Sequence, residues 1–286
     1  MNPTHNKLAF IIILSAIFLR GAANTYSELP DYLNKKEITF KEKRIYIIMN
    51  HDTSKIKKLI NIAKYNDNGK IVFNHNYAWI IDLNTDENYI YNNGKIISHD
   101  WIKYYINPDN NNKRLKNKGT YKYKYDKEGN LIELKQIDSN NKIMEEFIYS
   151  YNNKLIDKQI HNQFGLPKFE EKDYNSIRNY EYDKKYLIKE KIYYKNDVKG
   201  IILYKRNLEN ILTEILYINK NDSLEEKHQI EYDENINPIK INVFKKNKII
   251  YNYIFNWNEN GDIKEEILES PNKKNEKIIY LYEYIY

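Results

Sequence analysis

One short string returns nine times along the chain: an aromatic, any residue, a second aromatic, a small acid or amide, a turn and two aliphatics. Self-similarity of this kind limits the fold more than any overall property of the sequence. Tyr123, Tyr125, Asp126, Gly129, Leu131 and Ile132 give the template. Its second aromatic position falls at Tyr65, Tyr91, Tyr125, Tyr151, Tyr182, Arg206, Tyr232, Trp257 and Tyr284, at intervals of 24 to 34 residues. The longest interval holds Asn107, Pro108 and Asn110 to Asn112, the composition of a loop insertion.

Each copy reads as two strands. Tyr121, Tyr123 and Tyr125 alternate with Lys122 and Lys124 before the turn, and Ile239, Ile241 and Val243 alternate with Lys240 and Asn242 after one. That period of two puts each set on its own face of a sheet. A second polar cluster closes each unit, as at Asn219 to Ser223 and Lys245 to Asn247, so the order is strand, turn, strand, turn. The expected fold is therefore all-β, an antiparallel meander of hairpins of about 25 residues forming one wide sheet, twisted or partly rolled. Ile56, Leu59, Ile60 and Ala63 have helical spacing behind Asp52 and Ser54, but Tyr65 to Ile71 keeps the repeat register and favours a strand there.

Composition narrows the chemistry. The 286 residues include no Cys, which excludes disulfides, Cys-ligated metals and thiol catalysis, and six His. The 29 Tyr suit strands, and the 42 Asn suit turns that need a left-handed backbone. A mean hydropathy of -0.82 excludes a polytopic helical membrane protein. Lys7 precedes an apolar run from Leu8 to Leu19 and the small residues Gly21, Ala22 and Ala23, the layout of a secretory leader, too short to span a bilayer. We therefore expect residues 1–23 to be a signal peptide and 24–286 a single domain, with 24–60 as an N-terminal capping region and 61–286 as the repeats. The expected place is periplasm, cell surface or medium, with no transmembrane span in the mature chain. The formal charge of +6 is thinly spread, with Lys and Glu alternating, which argues against nucleic acid as a partner.

The string Tyr123 to Ile132 resembles the tyrosine-aspartate repeat of the rearrangement-hotspot and teneurin families, in which Tyr-x-Tyr-Asp-x-x-Gly is followed by a basic residue and Leu. The resemblance covers roughly residues 60–286. At Tyr180, Tyr182 and Asp183 the Gly is missing, Asn66, Asn152 and Asn258 replace the Asp, and Asn130 stands where the family has Arg. The self-cleaving core segment of the long toxin-bearing members has no counterpart. The resemblance implies hairpin repeats in a secreted protein.

Candidate chemistry is sparse. The sequence has no nucleophile elbow, P-loop, dinucleotide fingerprint or His-Glu-x-x-His string. Adjacent acids recur at Glu145 and Glu146, Glu170 and Glu171, Glu225 and Glu226, and Glu265 and Glu266, but strand neighbours point to opposite faces, so these read as surface charge. His51, His75 and His99 are spaced by 24, yet stacked hairpins would hold them about 10 Å apart, too far to share an ion. Neither metal nor cofactor is implied. The remaining candidate is a ligand platform of Tyr125, Tyr151, Tyr182, Arg206, Tyr232 and Trp257, with cross-strand packing as the simpler role. Arg206 breaks the aromatic column and is expected to stack on a ring, pair with an acid or face water. We read the protein as an exported, non-enzymatic scaffold or binding surface for a cell-envelope protein or a glycan. The rival is a periplasmic carrier that curls its sheet around a lipid or glycan.

Overall fold

A computed structural model describes residues 40–51, 54–77, 83–106, 113–164, 175–271 and 277–286. The proposed leader, most of the capping region and the insertion at 107–112 lie outside them. Every regular element among the described residues is a strand. In chain order these are β1 (Glu42–His51), β2 (Ser54–Tyr65), β3 (Ile71–Asn76), β4 (Leu83–Asn92), β5 (Lys95–Ile106), β6 (Lys113–Tyr125), β7 (Leu131–Asp138), β8 (Ile143–Asn152) and β9 (Leu155–Gln163). The rest are β10 (Ser176–Asp183), β11 (Tyr186–Tyr194), β12 (Asp197–Arg206), β13 (Leu212–Asn219), β14 (Leu224–Tyr232), β15 (Pro238–Lys245), β16 (Lys248–Trp257), β17 (Ile263–Glu269) and β18 (Lys277–Ile285). Nine repeat copies thus become eighteen strands. The helical spacing at Ile56 to Ala63 lies within β2, and the long interval before Tyr125 is taken up partly by β5 and β6, of 12 and 13 residues.

Each strand pairs antiparallel with its neighbours in sequence, and β1 pairs with both β2 and β18. The expected open or partly rolled sheet is therefore corrected to a closed barrel, with β1 bridging the two ends. Two physical causes act together. An open sheet would leave two unpaired edges. In addition, register shifts interrupt fourteen of the pairings, and each bulge bends its strand and raises the local twist until the sheet meets itself.

The bulges explain the repeat string residue by residue. In the template hairpin Tyr125 pairs with Leu131 and Lys124 with Glu133, so Ile132 is the extra residue. The same shift recurs at the second aromatic position of the other hairpins, from Tyr65 to Trp257. Hence the bulge is the residue after the one that pairs with the second aromatic position: the second aliphatic at Val72, Ile97, Ile132 and Ile188, and a polar residue at Asp157, Thr213 and Lys264. The small acid or amide builds the turn. Asp126 accepts from the Asn130 backbone at 2.7 Å, and Asn66, Asn207 and Asp233 each accept from the backbone two and four residues on. The fourth turn residue is left-handed, which is why Gly69, Gly129 and Gly261 or Asn210 stand there. Two-residue turns at Asn93–Gly94, Asn153–Lys154, Lys195–Asn196 and Lys246–Asn247 have both residues left-handed, the geometry that fits strand twist.

Candidate functional site

Strand alternation gives the wall two faces. One carries Leu134, Tyr149, Glu190, His228, Val243 and Leu268, each 8% exposed or less, while Lys122 and Lys124 on the opposite face are exposed. Side chains on the concave side of a curved wall converge and those on the convex side splay, so the crowded face is the inside. Pairings carry this assignment around the ring, from Ile47 opposite Tyr280 to Ala63 opposite Asn74 and on to Glu87 opposite Trp101.

The outer face is charged over much of the wall. The apolar row it carries across β16, β17, β18 and β1, formed by Ile254, Ile267, Ile279 and Ile48, is short, with Glu265, Glu269 and Lys277 two residues away on the same face. Lys135 bridges Glu133 and Glu146 at 3.0 and 3.2 Å, Lys189 reaches Glu181 at 3.1 Å, and Lys205 reaches Glu214 at 3.1 Å. A barrel that crosses a bilayer shows an apolar outer band about 25 Å tall instead. Among the described residues no helix is long and apolar enough to cross a membrane, which says nothing of a barrel.

The six platform residues lie on the inner side as a hoop around one rim, beside the repeat turns. Their polar ends are engaged with the wall. Tyr125 donates to the Ile96 carbonyl at 2.9 Å, Tyr151 to Leu131 at 2.8 Å, Tyr232 to Leu212 at 2.6 Å, and the Trp257 indole to Pro238 at 2.9 Å. Tyr91 and Tyr284, outside that set, repeat the bond to Ile71 and Ile263 at 2.8 Å each. The acceptors flank the bulges, where the ladder is interrupted. The aromatic therefore stitches its strand to the preceding one. Arg206 holds the same station with its guanidinium 5.1 Å from the centre of the Tyr186 ring, and it donates to the Asn210 carbonyl at 3.1 Å. The basic residue that follows Gly in the string has a role as well: Lys70 and Lys95 sit over the rings of Tyr91 and Tyr125 at 5.4 and 5.1 Å.

Deeper inside, a polar belt runs around the wall four residues before each stitching position. Here the copies diverge: Asn61, Glu87, Tyr121, Phe147, Arg178, Ile202, His228, Tyr253 and Tyr280. Arg178 donates from Nη1 to Glu190 at 3.1 Å, and Tyr204 donates to the other Glu190 oxygen. Two residues along the same strand as Arg178, Tyr180 donates to Gln159 of β9 at 2.8 Å. Burial pulls the Arg178 pKa down, and Glu190 together with Tyr180 and Tyr204 more than offsets it, so the value is raised. His228 and Glu226 lie 2.7 Å apart, as do His161 and Glu145. Burial presses the His99 imidazole below its ordinary pKa, against the pull of Glu87 and Asp100, and His99 contacts the Tyr123 hydroxyl at 2.9 Å. Burial likewise pushes the phenols of Tyr149, Tyr217 and Tyr253 well above their ordinary range, so all three stay protonated donors.

The metal alignment does not form. His75 is on the outer face against Asp86, whereas His99 is inside, and the His51 side chain lies outside the described residues. No group of three or more metal-binding side chains is found among the described residues. Three of the acid pairs split between faces, and Glu170 and Glu171 lie outside the described residues. Yet Glu145, Glu226 and Glu266 point inward and bind His161, His228 and Tyr282, so reading them as surface charge misses the lumen's acids.

No protein-family description and no curated protein matches the chain. Among solved structures it is similar to a porin-like protein of Bacteroides uniformis, at 9% identity over 87% of this chain and 99% of that one, with a TM-score of 0.49. A porin-like protein of Bacteroides vulgatus shows 13% identity over 83% and 96% of the two chains, with a TM-score of 0.31. The Tc holotoxin pore of Photorhabdus luminescens aligns with 80% of this chain but 13% of its own, at 11% identity and a TM-score of 0.30. Likenesses this distant carry no functional argument, and the barrel stands on its own strand pairings.

Proposed function

We propose that the protein is an exported, non-enzymatic β-barrel of tyrosine-aspartate-type hairpins that stands in water and holds a small polar ligand in its lumen. This is the carrier reading, with the ligand polar. Arg178 carries it. This guanidinium lies on the enclosed face, is engaged by Glu190, and still keeps 43% of its side-chain surface open. A charge so placed needs water or a ligand opposite it. Eighteen strands about 4.8 Å apart and tilted by about 40° make a round barrel roughly 35 Å across, wide enough for both. The charged outer face supports a water-surrounded barrel, and the leader-like amino terminus supports export.

Native mass spectrometry of the full chain purified from the envelope fraction of its own cells tests the proposal. A small molecule released on unfolding is expected. A chain that emerges free of any small molecule, or only with a protein bound to its outer face, returns the scaffold reading to first place.

A further inference from the structure

We infer that the belt around Arg178 is a subsite for an uncharged saccharide, a reading that rests on the ligand-holding lumen proposed above. Three features select this chemistry. The first is a pre-set donor. Glu190 is 7% exposed on its side chain and takes bonds from both Arg178 and Tyr204, so the carboxylate is spent on holding the guanidinium still. The Arg178 side chain keeps 43% of its surface open on the inner face, and a guanidinium fork offers parallel N–H directions suited to adjacent hydroxyl oxygens.

The second feature is the sign of the surroundings. Arg178 and Glu190 cancel, and the inward charges beyond them are of both signs: the carboxylates Glu145 and Glu226, each held by a histidine, and at the rim Arg206, whose guanidinium is taken up by the Tyr186 ring and the Asn210 carbonyl. An anion drawn to Arg178 would meet the Glu190 carboxylate beside it and share the inner face with Glu145 and Glu226, and a cation drawn to those carboxylates would share it with Arg178. A neutral polyol uses both, accepting from the guanidinium and donating to carboxylate lone pairs, with no net charge to desolvate.

The third feature is apolar area beside the polar groups. Tyr149 and Tyr217 flank Arg178 closely enough for its charge to act on both phenols, and Phe147 stacks on His161 at 4.3 Å. A pyranose ring has a C–H face that packs on such rings and an equator of hydroxyls that needs the donors and acceptors between them. The belt position supports the choice: Arg178 occurs once, where the repeat leaves the residue free to vary, so wall building does not require it.

The test is titration calorimetry of the full chain against three hexasaccharide probes of equal length: neutral maltohexaose, anionic hexagalacturonate and cationic chitosan hexamer. The neutral probe alone is expected to bind. Removing Arg178 by itself would leave Glu190 buried without its partner, so the variant is the double exchange Arg178→Gln with Glu190→Gln, which keeps the packing and a hydrogen bond. Its binding should weaken on the order of tenfold to a hundredfold, as expected for loss of a charged donor, while its melting temperature stays close to that of the parent. Preference for a charged probe, or unchanged affinity in the double variant, overturns the subsite. Binding of none of the three also overturns it, and the native mass spectrum then tells the two readings apart: a non-saccharide released from the lumen keeps the carrier, and an empty lumen removes both.

Discussion

If the aromatic hoop stitches the wall, removing its hydroxyls must weaken the fold without changing its shape. Tyr125→Phe, Tyr151→Phe and Tyr232→Phe each delete one oxygen, and with it the bonds of 2.9, 2.8 and 2.6 Å to Ile96, Leu131 and Leu212. One such bond contributes about 0.5–1.5 kcal/mol net, and the upper end applies where the orphaned carbonyl stays half-buried. The three sites lie on β6, β8 and β14 and share no partner, so their costs should add to about 2–4 kcal/mol. For a domain of this size each kcal/mol lowers the melting temperature by about 2–4 °C, so the triple variant should melt roughly 5–15 °C below the parent. Tyr105→Phe is the control, because its ring is 37% exposed and contacts Lys116 through its face. Differential scanning calorimetry with far-ultraviolet circular dichroism reads both. A triple variant that melts with the control would mean that the hydroxyls are incidental and that the repeat is conserved along the chain for ring packing alone.

Further outcomes follow from individual residues. Ile236 is β-branched at φ 64°, in the turn position held elsewhere by Gly or Asn, so Ile236→Asn should stabilise by about 1 kcal/mol in a urea titration. Gly129→Ala should cost more than Gly261→Ala in the same assay, by about 0.5–1 kcal/mol, because a Cβ at Gly129 would push the Lys95 ammonium off the Tyr125 ring while one at Gly261 meets nothing within 4 Å. Burial raises the Glu266 pKa, and the bond from Tyr282 only partly offsets this. The native state therefore holds that proton more tightly than the unfolded chain. Its contribution is complete below about 4.5 and is lost as pH rises through the folded value, so Glu266→Gln should flatten that slope and raise stability at pH 7. Finally, liposomes of neutral phospholipid should leave the folded protein in solution on flotation, whereas stable insertion would contradict a barrel with a wet outer face.

Much of the wall was legible because each position of the string has a local task. Asp126 and Gly129 set a turn, Tyr125 and Leu131 pair across it, and Ile132 follows as the bulge. Closure was not legible. It depends on curvature accumulated over many bulges and on the pairing of Glu42 with Ile285, a contact across nearly the whole described chain that leaves no local mark. The acids show the same limit on a smaller scale. Alternation alone says that Glu225 and Glu226 part company, and so do Glu145 and Glu146. Which member turns inward is set by the bulge, which falls on Met144 in one pair and on Glu225 itself in the other, so the first acid faces the lumen at 145 and the second at 226.

That separation bears on where function can reside in a repeat protein of this kind. Positions that recur in every copy are under the common demand of building the wall, and they are tied into it: the stitching hydroxyls, the turn carboxylates and amides, the left-handed residues. A ligand needs something the copies do not share. Four residues before each stitch the nine units present one amide, one acid, two bases, four aromatics and one aliphatic, from Asn61 and Glu87 through Arg178 and His228 to Tyr280, all facing the same lumen. A belt of divergent side chains on a uniform frame places one chosen donor beside one chosen acceptor without altering the hairpin that carries either. The regular aromatic column therefore marks the frame, and the positions free to serve a ligand are those where that regularity stops.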